Sequence, residues 1–314
     1  MSKEMKLGIV GLGKIGGNLA LQAAEKGIGV VGKARTDKPH LARKGVKVAK
    51  GYEEFVDFLD APRVIYLSLP AGPSVDLVLE ELVSYLDEGD VVIDGGNSFY
   101  QDTIVREEDL SDRGIYFLDC GTSGGVEGAR KGACFMVGGK PEGVKIAEPV
   151  LKALATEGGY VYTGEPGSGH FVKLVHNGIE FGMVQAIGEG VALLRGGDFD
   201  LDLAKVFGNW SHGSVIRGWL VELMAQGLKE KRLEDVDSYV EDTGEVNWLV
   251  HDAIEKEIPI PVITQSVMEL FRSRDKHCDD CRSIAVMRNG FGGHPFGQDQ
   301  SVSKVRKSSR IEKI

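Results

Sequence analysis

The sequence predicts a doubly wound α/β domain over residues 1–166, followed by an all-α domain over residues 167–314. Three observations predict it. Short apolar runs alternate with helix-like stretches through the first half, the pattern of a parallel sheet covered on both faces. A Gly-x-Gly-x-x-Gly turn stands directly behind the first apolar run. From about Gly167 the strand-like runs give way to successive long amphipathic stretches.

Taken in order, Lys6–Val10 is a continuous β-rich run, and residues 29–31, 64–69, 91–93, 116–118 and 160–162 are further strand candidates. Helical patterns lie between them, as at 15–26 and at 74–86, where Val75, Val78, Leu79, Leu82 and Val83 recur at helical spacing. In the second half, residues 169–194, 215–228, 248–255 and 262–271 read as helices, the first of them long. Trp210, Trp219 and Trp248 fall in apolar helical patterns and are expected in the core. Residues 304–314 are basic and polar and read as an extended tail.

Composition narrows the class of function. A length of 314 residues suits two domains, and 42% apolar with 27% charged residues is ordinary for a globular chain. No uncharged apolar run reaches the roughly 18–20 residues that span a bilayer. The N-terminus lacks the pattern of a secretory signal, so a cytoplasmic protein without membrane partners is expected. The 47 acids against 37 bases leave a net charge of −10, which disfavours nucleic-acid binding. Four cysteines are too few for a disulfide scaffold. Cys278 and Cys281, with His277 beside them, have the spacing of half a zinc site, but no second half completes it. That segment is expected to be a loop without metal.

Gly11, Gly13 and Gly16, with Lys14 and Ile15 between the last two, follow the first strand and open a helix, in the order a dinucleotide-binding βαβ unit requires. Gly11 makes the tight turn, Gly13 admits a pyrophosphate to the backbone, and Gly16 lets helix and sheet approach. The pyrophosphate then meets the positive end of the helix. This makes the first domain Rossmann-type. At the end of the second strand no acid occupies positions 33–36. Arg35 and Thr36, with Lys33 and Lys38 nearby, suit a 2′-phosphate and favour NADP. Asp37 keeps NAD open as the alternative.

Residues 167–180 hold the densest chemistry. Lys173, Asn177 and Glu180 stand at i, i+4 and i+7 and share a helical face, bordered by His170 and His176. Val172, Val175 and Ile179 are placed to pack on the other side. Such a Lys–Glu pair is ordinarily a surface salt-bridge face. Here the added amide and histidine and the flanking glycines point instead to a desolvated lysine that serves as a base, with Glu180 as its complementary acid. Two more glycine-rich stretches follow strands: Gly95-Gly96-Asn97-Ser98, and Gly121 to Gly128, where Ser123-Gly124-Gly125 forms a nest suited to a carboxylate. Both are expected at the carboxyl edge of the sheet, where open α/β sheets bind ligands.

Through these segments the chain resembles the decarboxylating 6-phosphogluconate dehydrogenases, in their short-chain branch, of the β-hydroxyacid dehydrogenase superfamily. The stretches that carry the resemblance are GLGKIGGNLA, DGGNSFYQDT, GTSGGVEGARKGACFMVGG, HFVKLVHNGIEFGMVQA and the ending RNGFGGHPFG. The resemblance implies a Rossmann domain and a helical domain that builds a homodimer or homotetramer. It implies Lys173 as general base toward the 3-hydroxyl of an aldonate and Glu180 as the acid that protonates C1 after loss of CO2. Asn177 and His176 are implied as positioning groups. Asn97 is implied near both cofactor and substrate, and Ser123, Gly124 and Gly125 as holding the substrate's carboxylate. Arg288 and His294 are implied to reach a neighbouring subunit's site. A non-decarboxylating β-hydroxyacid dehydrogenase is the nearest alternative, and Glu180 argues against it.

The sequence departs from the family where the substrate's phosphate is held. Phe181, Asn247, Leu249 and Leu270 stand where the family carries a tyrosine, a basic residue, a threonine and an arginine. Arg272, Arg274 and His212 are candidates for a substitute. The expectation is oxidative decarboxylation of a six-carbon aldonate with a reduced demand for the C6 phosphate, extending to free or sulfonated gluconate.

Overall fold

The computed structural model describes residues 5–298. The basic stretch at 304–314, read above as a tail, lies outside them.

The first part is one eight-stranded sheet with helices on both faces. In chain order its elements are β1 (Lys6–Val10), α1 (Lys14–Glu25), β2 (Gly29–Lys33), α2 (Pro39–Ala42), β3 (Lys47–Ala49), α3 (Tyr52–Asp57), β4 (Val64–Leu67), α4 (Pro73–Leu82), β5 (Val91–Asp94), α5 (Tyr100–Ser111), β6 (Tyr116–Ser123), α6 (Gly125–Lys131), β7 (Ala133–Gly138), α7 (Pro141–Leu154) and β8 (Ala155–Gly164). Strand order is β3-β2-β1-β4-β5-β6-β7-β8. The order reverses between β1 and β4, the switch point at which such sheets open a crevice. Successive residues feed opposite faces. Ile9, Val30, Tyr66 and Ile93 enter one buried cluster, and Val10, Val31, Ile65 and Val92 enter the other. Burial on both faces is why these strands read as unbroken apolar runs.

Two features differ from the parallel sheet expected. β7 runs antiparallel to β6. Only residues 124–132 separate them, fewer than the dozen or so that a parallel crossover needs, so the chain turns straight back. β6 also continues to Ser123, five residues past the predicted strand, because β7 pairs with that extension from Asp119 to Ser123.

The rest is helical: α8 (Ser168–Gly196), α9 (Leu203–Trp210), α10 (Trp219–Glu230), α11 (Glu245–Glu255), α12 (Pro261–Arg274) and α13 (Asp279–Gly292). Among the described residues no strand follows β8. Helix α8 belongs to both parts. Its first turns lie on the sheet, where a Cβ on Gly169 would stand 2.5 Å from the Met136 carbonyl. Its middle packs on α11 and α12 through Leu174, Val246, Leu249 and Val267, and its end packs on α9 and α10 through Val191, Phe207 and Val221.

Three expectations for side chains fail. Val172 and Ile179 do not pack: they are 39% and 53% exposed, and Ile179 lines a cleft instead. Trp219 is 47% exposed at the start of α10 rather than in the core. Cys278 caps α13 and Cys281 lies in its first turn, so the predicted loop begins a helix. No cluster of three or more metal-ligating side chains occurs among the described residues. No helix of these residues is long and apolar enough to cross a membrane.

Candidate active site

A cleft of about 980 Å3 opens between the carboxyl ends of β1, β4, β5 and β6 and the flank of α8. Gly13, Lys14 and Ile15 line one end, Gly95 to Asn97 and Thr122 to Gly125 the floor, and Lys173, His176, Asn177 and Glu180 the helical wall.

The glycine turn is built as its spacing requires. Gly11 sits at φ +97 and its N–H donates to the Lys33 carbonyl at 2.9 Å, which ties the turn to the end of β2. A Cβ on Gly16 would collide with the Gly11 carbonyl, whereas one on Gly13 would meet nothing within 4 Å. The N-terminus of α1 has no side-chain cap and no acid in its first turn. Its free N–H groups therefore face the cleft uncompensated, a fit for a dinucleotide pyrophosphate. Arg35 and Thr36 follow β2 and are exposed.

A buried carboxylate holds α8 in place. Asp119, on β6, accepts from the N–H of Gly167 at 2.8 Å and of His170 at 2.7 Å, supplying the cap that Gly167 lacks. The His170 ring is buried behind the predicted face rather than bordering the cleft. Its Nε2 is 3.1 Å from the Asp94 carbonyl, so Nε2 carries the proton and Nδ1 accepts from the Thr103 hydroxyl at 2.7 Å. The Asp94 side chain in turn accepts from Gly96 N–H and Ser98 Oγ, at 3.0 and 2.6 Å, and shapes the loop that presents Asn97. Beneath both floor loops, the Tyr66 hydroxyl lies 2.6 Å from Thr122 Oγ1 and 3.4 Å from the Gly95 carbonyl.

Lys173 is 7% exposed. Its Cβ lies so close to Gly121 that a side chain there would collide with it. Lys173 Nζ donates to Asn177 Oδ1 at 2.7 Å and is 3.3 Å from His176 Nδ1. His176 Nε2 reaches Ser123 Oγ at 3.1 Å, so α8 and the β6 loop are joined across the cleft. Glu180 Oε2 is 4.0 Å from His176 Nδ1. Burial pushes the Lys173 ammonium below its ordinary range, while the carboxylates of Glu180 and Glu245 act in the opposite direction. The result is an ammonium that gives up its proton more readily than a solvated lysine does.

Of the predicted site residues, the structure brings together Gly13, Lys14, Ile15, Asn97, Ser123, Gly124, Gly125, Lys173, His176, Asn177 and Glu180. Gly11 and Gly16 stand just behind them. Arg288, on α13, and His294, after it, are exposed and lie apart from the cleft of their own chain. Sequence reasoning missed Glu245, which accepts from Asn177 Nδ2 at 3.4 Å, and the apolar wall of Met183, Trp219, Leu220 and Leu223. A carboxylate at the first residue of a helix is the only signal Glu245 left. Phe181 lines the cleft, Leu249 is core, and Asn247 is exposed. The suggested substitutes are engaged elsewhere: Arg274 pairs with Asp242 at 2.9 Å, Arg272 with Glu269 at 3.8 Å, and His212 contacts the Gly208 carbonyl at 2.8 Å.

The NAD-binding domain of 6-phosphogluconate dehydrogenase matches residues 6–164, and the 6-phosphogluconate dehydrogenase C-terminal domain matches residues 169–312. The chain belongs to the 6-phosphogluconate dehydrogenase family. A relative in Haloferax volcanii, the NAD(+)-dependent, decarboxylating 6-phosphogluconate dehydrogenase, is 40% identical over 295 residues, covering 92% of this chain and 98% of its own. The NADP(+)-dependent, decarboxylating enzyme of Bacillus subtilis is 36% identical over 336 residues, covering all of this chain and 71% of its own. Among solved structures, Plasmodium falciparum 6-phosphogluconate dehydrogenase superposes with a TM-score of 0.77 at 27% identity, over 94% of this chain and 66% of that longer one. A 3-hydroxyisobutyrate dehydrogenase from Salmonella typhimurium, at 20% identity and a TM-score of 0.72, shares the fold. The family makes this chain an oxidoreductase with an NAD(P)-binding domain.

Proposed function

We propose that this chain oxidises a six-carbon 3-hydroxy aldonate at C3 and decarboxylates the product to a ketopentose and CO2. The observation that carries the reading is the desolvated Lys173 ammonium, 2.7 Å from Asn177 Oδ1, with Glu180 less than two turns further along the same face of the cleft. Residues 1–166 serve the dinucleotide, and residues 167–314 complete the substrate site and self-association.

The glycine turn of Gly11, Gly13 and Gly16 would hold NAD(P), which when bound would supply the acceptor for the hydride leaving C3. Lys173, as the free amine, takes the proton from the 3-hydroxyl, and Asn177 and His176 fix the direction of that transfer. The carboxylate of the substrate meets the Ser123–Gly125 turn, where Gly124 and Gly125 lie at φ +109 and +58 and leave backbone N–H groups open to an anion. The 3-keto acid then loses CO2, and the Lys173 ammonium stabilises the enolate oxygen left behind. Glu180 supplies the proton to C1. Asn97 supports substrate and cofactor from the β5 loop.

Arg35 and Thr36 support NADP over NAD, since their positions carry no acid for a ribose 2′-hydroxyl. The exposed apolar side chains of α13, among them Val286, Met287 and Phe291, support a homodimer or homotetramer in which Arg288 and His294 reach a neighbouring cleft. A cytoplasmic location suits this chemistry. The test follows reduced dinucleotide and CO2 together with gluconate, 6-phosphogluconate and 3-hydroxyisobutyrate. Equal yields of both products from an aldonate are expected. Reduction of dinucleotide without CO2 would refute the decarboxylating reading.

A further inference from the structure

We propose that Tyr66, a core side chain outside the cleft, is a positioning residue for the substrate. Its hydroxyl anchors the Thr122–Gly125 turn that would receive the substrate's carboxylate. The inference rests on the aldonate reading above and adds the group that holds this turn in register.

Tyr66 stands on β4, is 1% exposed and does not line the cleft. It pairs with Ile9 of β1 and Ile93 of β5, so the anchor sits in the middle of the sheet. From there the side chain meets both floor loops. A Cβ on Gly95 would collide with the Tyr66 ring and hydroxyl oxygen, so the β5 loop rests directly on the ring. On the other side the hydroxyl lies 2.6 Å from Thr122 Oγ1. The second partner of Thr122 gives that bond its direction. The Thr122 hydroxyl donates to the Cys120 carbonyl at 3.1 Å, and a threonine hydroxyl has one proton to give. Tyr66 is therefore the donor, and the Gly95 carbonyl, at 3.4 Å, is too distant to compete for its proton.

The anchored residue leads straight into the turn. Ser123 follows, with its hydroxyl 3.1 Å from His176 Nε2, and then Gly124 and Gly125 at φ +109 and +58. Two glycines at positive φ give a turn the right shape and little stiffness. Its N–H groups hold their direction only if the chain entering it is fixed, and the Tyr66–Thr122 bond fixes it from the core.

The experiment measures steady-state kcat and KM of the full-length oligomer for 6-phosphogluconate and gluconate, with dinucleotide Kd and Tm alongside. The variants are Tyr66→Phe, Thr122→Val, Thr122→Ser and the double Tyr66→Phe/Thr122→Val. Tyr66→Phe keeps the ring beneath Gly95 and removes only the hydroxyl. It should raise KM for the aldonate by about three- to tenfold, the scale of one hydrogen bond, with a smaller change in kcat and none in dinucleotide Kd. Thr122→Ser, which keeps the acceptor, should behave as wild type. The double variant should match Thr122→Val, because both changes remove one bond. An aldonate KM unmoved in Tyr66→Phe, whatever its Tm, would make the tyrosine a core residue only and overturn the inference. An equal rise for aldonate and dinucleotide, or additive effects in the double variant, would overturn the assignment to the Thr122 turn. A wild type inactive on both aldonates would bring down the aldonate reading and this inference with it.

Discussion

The carboxylate of Asp119 accepts a 2.7 Å hydrogen bond from the backbone N–H of His170, which locks the start of α8 to the end of β6. Two residues on from Asp119 lies Gly121, against which Lys173 packs one turn further along α8. One buried acid therefore sets the distance between Lys173 and the sheet edge that carries the glycine turn.

Asp119→Ala should destabilise the protein, because it leaves the N–H groups of Gly167 and His170 buried without an acceptor. Each such loss costs roughly 1–3 kcal/mol, so a total of about 3 kcal/mol is expected. That corresponds to a Tm lower by roughly 5–10 °C. A Tm within a degree of wild type would show that α8 is held by packing alone.

Lys173→Met should abolish hydride transfer and leave dinucleotide affinity within a few-fold of wild type, since the glycine turn lies at the other end of the cleft. Stopped-flow reduction and a fluorescence titration of the dinucleotide separate the two. A variant that turned over at near wild-type rate would remove Lys173 as the base.

The pH profile follows from the same lysine. In the proposed mechanism catalysis needs the free amine, and burial lowers its pKa below the ordinary 10.5, so kcat/KM should rise with pH through a limb displaced below that value. Glu180 and Glu245 favour the charged amine. Removing one carboxylate therefore lowers the pKa further, and Glu245→Gln should shift the limb to lower pH. A limb that stayed in place, or moved up, would mean that another group titrates there.

The parts of this site legible in the sequence are those built from local spacing. The Gly11–Gly16 turn and the face shared by Lys173, Asn177 and Glu180 each lie within one element, so helical and turn geometry suffices to assemble them. Glu245 was not legible because it meets Asn177 across 68 positions, and Asp119 meets His170 across 51. Trp219 was misread for a different reason. An amphipathic pattern says which residues are apolar, not whether the apolar face meets a core or a cleft. The reversal of β7 is governed by the length of its connection, which periodicity does not report.

Glu180→Gln should lower kcat by about 10²–10⁴-fold, the usual worth of a general acid, while the initial hydride transfer is slowed less. Deuterium incorporation at C1 of the pentose product, followed in heavy water, reads the protonation directly. Unchanged kcat with unchanged stereochemistry at C1 would assign the proton to solvent.

The proposed preference for NADP rests on Arg35. It stands two residues beyond the end of β2, exposed, beside Thr36 and with Lys33 closing the strand. A 2′-phosphate there would gain a charge-assisted, bidentate pair that a ribose 2′-hydroxyl cannot offer. Such hydrogen bonds contribute roughly 1.5–3 kcal/mol, which is about 10- to 150-fold in affinity. Arg35→Ala should therefore raise KM for NADP by that factor and change KM for NAD little. The competing acceptor is Asp37, two residues on and equally exposed, which suits a 2′-hydroxyl and repels a phosphate. Steady-state KM values for both dinucleotides, in wild type, Arg35→Ala and Asp37→Ala, decide between them. If the wild type uses NAD better than NADP, and Asp37→Ala rather than Arg35→Ala carries the penalty, then the acid selects the cofactor and the arginine is only a solvated side chain at the turn.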